Sequence, residues 1–306
     1  MKLSQIREVL TIAERGSIRS AARQLAVAQP VMTRSIRELE RELGVLLFER
    51  RVTGMILTPM GEAFVRRATA IQLDVERVRD ELQQLRGETV GTVSAGLSTV
   101  AHVALLPRII EPFRLRFPGV RLKLFEGLFP TLESDIQDGK LDFYVGPLAE
   151  NVQPAELLVE RLFDNRRVVV GRCGHPLANA RSLGDLVDAH WVTTAITMDV
   201  DAELGPMFES HGLPRPHIAL QAETALSMLI ATAHSDLLAM LPQQWFAYFQ
   251  HAGTIDLIPV AEMLPAPPIC IVRRTRLPLT PAAECLCDLF RRAGHNHGLS
   301  LAGAPH

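Results

Sequence analysis

The stretch "SIRSAARQLAVAQPVMTRSIRELE", Ser17 to Glu40, sets two short amphipathic patterns back to back with only Ala26-Val27-Ala28 between them. Helices this short are marginal alone and survive by packing on one another. A preceding helix reads from Leu3, with Leu3, Ile6, Val9, Leu10 and Ala13 on one face, and ends at Gly16. Ser17 then caps the second helix, whose inner face is Ile18, Ala21, Ala22 and Leu25; the small alanines let a partner backbone approach closely. After the turn, Pro30 falls at an early helical position, where a missing N–H costs little. Ile36, Leu39 and Leu43 continue a buried face and leave Gln29, Thr33, Arg34 and Arg37 outward. Two packed helices, the second presenting Arg, Gln and Thr, make a helix-turn-helix whose second helix suits a major groove. Arg bonds guanine in bidentate fashion, Gln pairs with adenine, and hydroxyls reach phosphates or bases. The competing interpretation is a three-helix packing module with a solvated charged face.

Charge points the same way. Residues 1–67 carry 12 Lys/Arg against 7 Asp/Glu, whereas the other 239 carry 20 against 27, so a net charge of −2 hides a basic head on an acidic body. That asymmetry suggests a nucleic-acid contact confined to the N-terminus, although 29 of the 32 cationic residues are Arg, which also fits a compositional bias. The 306 residues exceed one ordinary domain, and a 47% apolar, 22% charged composition is globular. No cationic segment followed by an apolar run marks a signal peptide. The most apolar stretch, Ala225 to Phe249, is broken by His234, Asp236 and Pro242 and does not read as a membrane span. The four cysteines, Cys173, Cys270, Cys285 and Cys287, read as reduced cytosolic thiols; Cys285 and Cys287 face apart on a helix and do not suggest a shared metal. A cytoplasmic chain is expected.

Past Gly44, "LFERRVTGMILTP" reads as a hairpin with a Thr-Gly turn, Arg50 and Arg51 at its base touching backbone phosphate. From Pro59 to Arg86 no Gly follows Gly61 and no further Pro occurs. Phe64, Ala68, Ile71, Val75, Val78, Leu82 and Leu85 recur at alternating spacings of four and three. Such a repeat is a coiled-coil seam on a helix about 40 Å long. A second copy would cover it, giving a dimer with two helix-turn-helix units; the alternative is a long helix lying on its own C-terminal body.

The N-terminal sixty residues resemble the winged helix-turn-helix of LysR-type transcriptional regulators. The resemblance is carried by V-x-x-I-A-E-x-G-S from Val9 to Ser17 and A-A-x-x-L from Ala21 to Leu25. Q-P-x-x-T-R-x-I-x-x-L-E-x-x-L-G-x-x-L-F-x-R follows from Gln29 to Arg50, and L-T-x-x-G from Leu57 to Gly61. One departure is Ala28, where the family usually has Ser; a side-chain cap typically worth about 1 kcal/mol is lost. The resemblance implies DNA contacts at Ser17, Gln29, Pro30, Thr33, Arg34, Arg37, Arg50 and Arg51. It also implies operator DNA as partner, with RNA polymerase as a further one.

From Gly91 onward strands and helices alternate. "TVSAGL", "RLKLFEG" and "LDFYVG" are separated by helices over about Val100–Phe117 and Leu132–Asp138. "RVVVG", "HWVTT", "IALQAE" and "DLLAML" follow, with helices near Ala202–His211 and over Ala225–Ala233. Strand–helix alternation means parallel sheets with crossover helices. The dozen residues "HNHGLSLAGAPH" read as a disordered tail without metal-ligand spacing. The expected fold is therefore mixed: an all-α winged helix-turn-helix domain (1–59), a long linker helix (60–89) and a two-lobed α/β effector domain (90–306). By the family resemblance, lobe I holds 90–162 and 268–306, and lobe II holds 163–267.

Ligand sites in such sheets lie at the carboxyl ends of strands. "GLSTVAH" offers hydroxyls and free N–H groups at one point, and "GLFPT", Gly146-Pro147, "VTTAIT" and Glu223-Thr224 are comparable places. The resemblance implies a small organic anion between the lobes, near Ser98, Thr99, Val100, Phe129, Pro130, Gly146, Thr194, Ile196, Thr197 and Thr224. The competing role for each hydroxyl is an ordinary helix cap, and His102 reads as cleft or core. The first lobe also resembles regulators of aromatic acid or sulfonate catabolism.

No G-x-S-x-G, Walker loop, H-E-x-x-H or dinucleotide fingerprint is present. Cys173 with His175 lacks an orienting acid, so catalysis is not expected. No cofactor or metal is expected either. The function expected is a DNA-binding transcriptional regulator, homotetrameric and modulated by the anion; the alternative is an effector-independent repressor or architectural protein.

Overall fold

A computed structural model describes residues 1–51, 54–149, 156–194, 204–250, 253–275 and 277–302. The chain divides into two compact units, Met1–Gly91 with Gln137–Lys140, and Thr92–Ile136 with Leu141–His306.

The first unit opens with α1 (Leu3–Arg15), α2 (Ile18–Gln24) and α3 (Gln29–Leu43). Local chemistry sets each boundary. Gly16 and Gly44 end α1 and α3 in the left-handed conformation that glycine adopts without strain, and the Ser17 hydroxyl accepts from the Ser20 N–H to start α2. Ala28 precedes α3 with no side-chain cap. Val9, Ile12, Ala21, Ala22, Met32, Ile36 and Leu39 bury together with Leu47 and Phe48. Leu3 and Leu43 lie outside this core, contrary to the periodicity, while Ile12 is fully buried in it. Strands β1 (Phe48–Arg51) and β2 (Gly54–Leu57) pair antiparallel as the expected hairpin; the expected Thr-Gly turn falls partly on residues 52–53, outside the described residues. Glu40 fastens α3 to it by accepting from the Leu47 and Phe48 N–H groups. Helix α4 (Pro59–Leu85) follows, capped by Thr58. Phe64 packs into the core of this unit and Ala68 is 2% exposed, so the first turns of the heptad pattern serve the unit itself. Ile71, Val78, Leu82 and Leu85 are exposed, reaching 69% at Leu85.

The second unit contains β3 (Thr92–Leu97), α5 (Thr99–Ala104), α6 (Leu106–Arg116), β4 (Arg121–Glu126), α7 (Phe129–Gln137) and β5 (Phe143–Pro147). The long strand β6 (Leu157–Arg172) leads to β7 (His190–Thr194), α8 (Leu204–Ser210), β8 (His217–Ala222), α9 (Ala225–Ala233), β9 (Leu238–Pro242) and α10 (Gln243–Phe249). The strands β10 (Ile255–Ile258) and β11 (Pro265–Arg274) and the helix α11 (Pro281–Ala302) complete it. Strand order is β4-β3-β5-β11-β6-β9-β7-β8, with β10 on β6. Parallel triplets β4-β3-β5 and β9-β7-β8 flank a centre in which β11 runs antiparallel to β5 and β6, and β6 antiparallel to β9. The unit is thus a two-lobed α/β structure.

The sequence pattern missed this antiparallel spine, and the expected helix over Val100–Phe117 divides at Leu105 into α5 and α6. The expected disordered tail is corrected over 295–302, where α11 runs through to Ala302; residues 303–306 lie outside the described residues. Gly294 and Gly298 bring that helix against β6, where an added Cβ would lie 3.1 Å from the Leu162 Cβ and 3.4 Å from the Phe163 Cβ. His297 meets the Phe163 ring edge-on at 4.9 Å. Among the described residues, no helix is long and apolar enough to cross a membrane, and no group of three or more His, Cys, Asp or Glu could hold a metal ion.

Candidate functional site

In the N-terminal unit the polar face of α3 gathers the residues expected from its spacing. Gln29, Pro30, Thr33, Arg34 and Arg37 line one open depression together with Glu38 and Arg41. Ile36 and Leu39 anchor the opposite face in the core, which fixes the rotation of the helix. The Thr33 hydroxyl donates to the Gln29 carbonyl at 2.9 Å. Arg34 pairs with Glu38 at 3.0 Å, one turn on, and both side chains are largely exposed. Among the described residues, Arg37, Arg41 and Arg50 meet no carboxylate. Arg51 pairs with Glu49 at 3.3 Å. Ser17 spends its hydroxyl on the α2 cap. Sequence reasoning missed Arg41, although its i+7 spacing from Arg34 already placed it on the same helical face.

In the second unit, Ser98 and Thr99 stand where β3 gives way to α5, beside the ends of β4 and β5. The Ser98 N–H donates to the Val145 carbonyl at 2.9 Å, and its buried hydroxyl accepts from Ala101. The Thr99 hydroxyl donates to Glu126 Oε1 at 2.8 Å. His102 Nδ1 meets the Ser98 carbonyl at 3.0 Å, so that nitrogen is the donor. Val100 and Phe129 face apolar cores, and Pro130 is exposed. Gly146 lies beneath Tyr144: an added Cβ would meet the Tyr144 Oη at 2.1 Å and the Ser98 Cβ at 2.8 Å. The structure therefore brings Ser98 and Gly146 together with Tyr144, a residue that the sequence reading passed over. Its position two residues before Gly146 on one strand was the available signal. Tyr144 is fully buried, and its hydroxyl has no hydrogen-bond partner among the described residues. Burial pushes this phenol far above its ordinary range.

Of the residues expected in the other lobe, Thr194 is half-buried at the end of β7, and its carbonyl accepts from the Thr193 hydroxyl at 3.4 Å. Thr224 caps α9, accepting from the Ser227 N–H at 3.1 Å. Ile196 and Thr197 lie outside the described residues. Cys173 and His175 form no dyad. The thiol donates to the Gly253 carbonyl, and both imidazole nitrogens of the buried His175 are engaged by backbone, at Asp236 and Leu177. Desolvation, with a contribution from Asp256, holds the Cys173 thiol above its usual range, the opposite of what a nucleophile needs.

Two family descriptions match the chain: the bacterial regulatory helix-turn-helix protein of the lysR family over residues 3–62, and the LysR substrate binding domain over residues 86–294. The chain is 26% identical over 283 residues to the HTH-type transcriptional regulator TdcA of Escherichia coli (strain K12), covering 92% of this chain and 90% of that protein. It is 29% identical over 295 residues to the SDS degradation transcriptional activation protein of Pseudomonas sp. (strain ATCC 19151), covering 94% and 95%. Among solved structures, full-length CbnR complexed with its target DNA superposes with a TM-score of 0.70 at 21% identity, over 96% of this chain and 100% of that one. Full-length OxyR C199D from Pseudomonas aeruginosa gives 0.69 at 24%, over 95% of each.

Proposed function

Because the chain belongs to the LysR family of transcriptional regulators, we propose that α3 enters the major groove of operator DNA as the helix that reads sequence. Gln29, Pro30, Thr33, Arg34 and Arg37 face the bases, while Arg50 and Arg51 hold backbone phosphate. The observation that carries this reading is the outward row of Arg34, Arg37 and Arg41 on a helix whose other face is locked into the core. Ser17 contributes by starting α2. Two copies joined along α4 present two such helices to two half-sites, and pairing of their second units gives a tetramer. The regulator acts in the cytoplasm.

A small organic anion held between the two lobes, near Ser98, Thr99, Gly146, Thr194 and Thr224, biases one arrangement of the assembly and thereby operator affinity or contact with RNA polymerase. Linkage limits the effect to the difference in effector affinity between the arrangements. The finer target is an operon for aromatic acid or sulfonate catabolism. The Ser98 and Thr99 hydroxyls and the first turn of α5 at the end of β3 support an anion over a cation.

Arg34→Ala is expected to lose about 1–3 kcal/mol of operator binding and to relax preference among operator sequences. Arg51→Ala is expected to weaken binding to all sequences alike and to reduce the slope of log affinity against log salt by about 1. Gel retardation across an operator series and a salt series reads both. Equal, sequence-blind losses from the two variants would show that α3 does not read bases.

A further inference from the structure

Resting on the effector reading above, we propose that the Tyr144 hydroxyl is the neutral donor that grips the head group of a singly charged acid, a carboxylate or a sulfonate. Two observations converge on that atom. It is completely buried and has no hydrogen-bond partner among the described residues, an arrangement that the fold would avoid by using Phe unless something arrives to accept the proton. Gly146 makes room for the phenol itself, since any side chain there would strike the Oη and the Ser98 Cβ, and this holds the hydroxyl beside Ser98 at the end of β5.

The charge of the ligand follows from the same end of the sheet. Tyr144, Ser98, Gly146 and Phe129 carry no formal charge, so one anionic group is held by dipoles rather than by a salt bridge. The charged group that hydrogen bonding brings in is Glu126, which accepts from Thr99 and makes no ion pair with a cation among the described residues. A second carboxylate on the ligand would meet Glu126 with like charge.

The test is calorimetric titration of the full chain with benzoate, benzenesulfonate and, as the doubly charged control, phthalate, together with ligand-free melting. Wild type is expected to bind the two monoanions and to bind phthalate at least about 10-fold more weakly. Tyr144→Phe, which keeps the ring volume, is expected to weaken monoanion binding by about 10-fold or more while melting no lower than wild type without ligand. Equal monoanion binding by wild type and Tyr144→Phe, with Ser98→Ala weakened, would overturn the role of Tyr144 and leave the effector site standing. Equal binding of phthalate and benzoate would overturn the single-charge assignment. A ligand-free melting temperature several degrees lower in Tyr144→Phe would make the hydroxyl structural and overturn the proposal. Failure of wild type to bind any of the three acids would remove the effector reading and this one with it.

Discussion

A methyl group on Gly61 would sit 2.0 Å from the Leu47 carbonyl oxygen, and that oxygen accepts the Thr58 N–H. Backbone on both sides leaves nothing cheap to move, so Gly61→Ala is expected to destabilise the N-terminal unit by about 1–3 kcal/mol, read by urea unfolding. Single residues of this kind were legible wherever their cause is local. Ser17, Gly16 and Gly44 do what their position beside an amphipathic run predicts. Leu43 misled, because a residue in the last turn before a terminating glycine can satisfy the period and still point past the edge of the core. Tyr144 could be read only as a strand neighbour of Gly146, because its place beside Ser98 and Phe129 depends on β3, β5 and α7 meeting at one point.

Among the elements, α3 begins at Ala28 with extended backbone and no cap, leaving an early N–H without a side-chain acceptor. Ala28→Ser is expected to raise stability by about 1 kcal/mol, measured by the shift of the urea midpoint at constant slope. The amphipathic helices and the strands of the parallel triplets could be read directly, since hydrophobic period and strand–helix alternation are local signals. The last turns of α11, past Gly294, could not. Gly294 and Gly298 count against a helix by propensity, and only contact with β6 explains them. That contact also half-buries His297, whose imidazole is pushed below its ordinary range by desolvation and then by the positive charge of Arg108. A depressed folded-state value means that the unfolded chain takes the proton first, so the stability contributed is present above about pH 6.5 and is lost as pH falls through the folded value. Wild type is therefore expected to lose more melting temperature than His297→Gln between about pH 7.5 and about pH 5.5. Parallel loss in the two proteins would exclude His297 as a source of acid sensitivity.

For the whole molecule, the decisive surface is the outer part of α4. Phe64 and Ala68 belong to the N-terminal unit, which leaves Ile71, Val78, Leu82 and Leu85 exposed for the second copy proposed above, a shorter stretch than the heptad pattern implied. Leu82→Glu is expected to convert dimers to single chains in light scattering and to lose operator retention at moderate salt, while the far-ultraviolet spectrum stays unchanged; retained dimers would place the interface elsewhere. This periodicity could be read from sequence, but the division of labour along it could not, because the sequence does not show which turns the neighbouring core has already taken.

The strand β6 spends its first ten residues on β11 and its remainder on β9 and β10, and β11 slips register between Ala266 and Cys270 around Pro267 and Pro268. Neither half of the body can be cut out as an autonomous piece: excision at either crossing would strip a neighbouring ladder of its partner and expose raw sheet edge. Any turn of one half against the other has to bend the continuous strands β6 and β11, and the missing rungs at Pro267 and Pro268 are where such bending breaks the fewest hydrogen bonds.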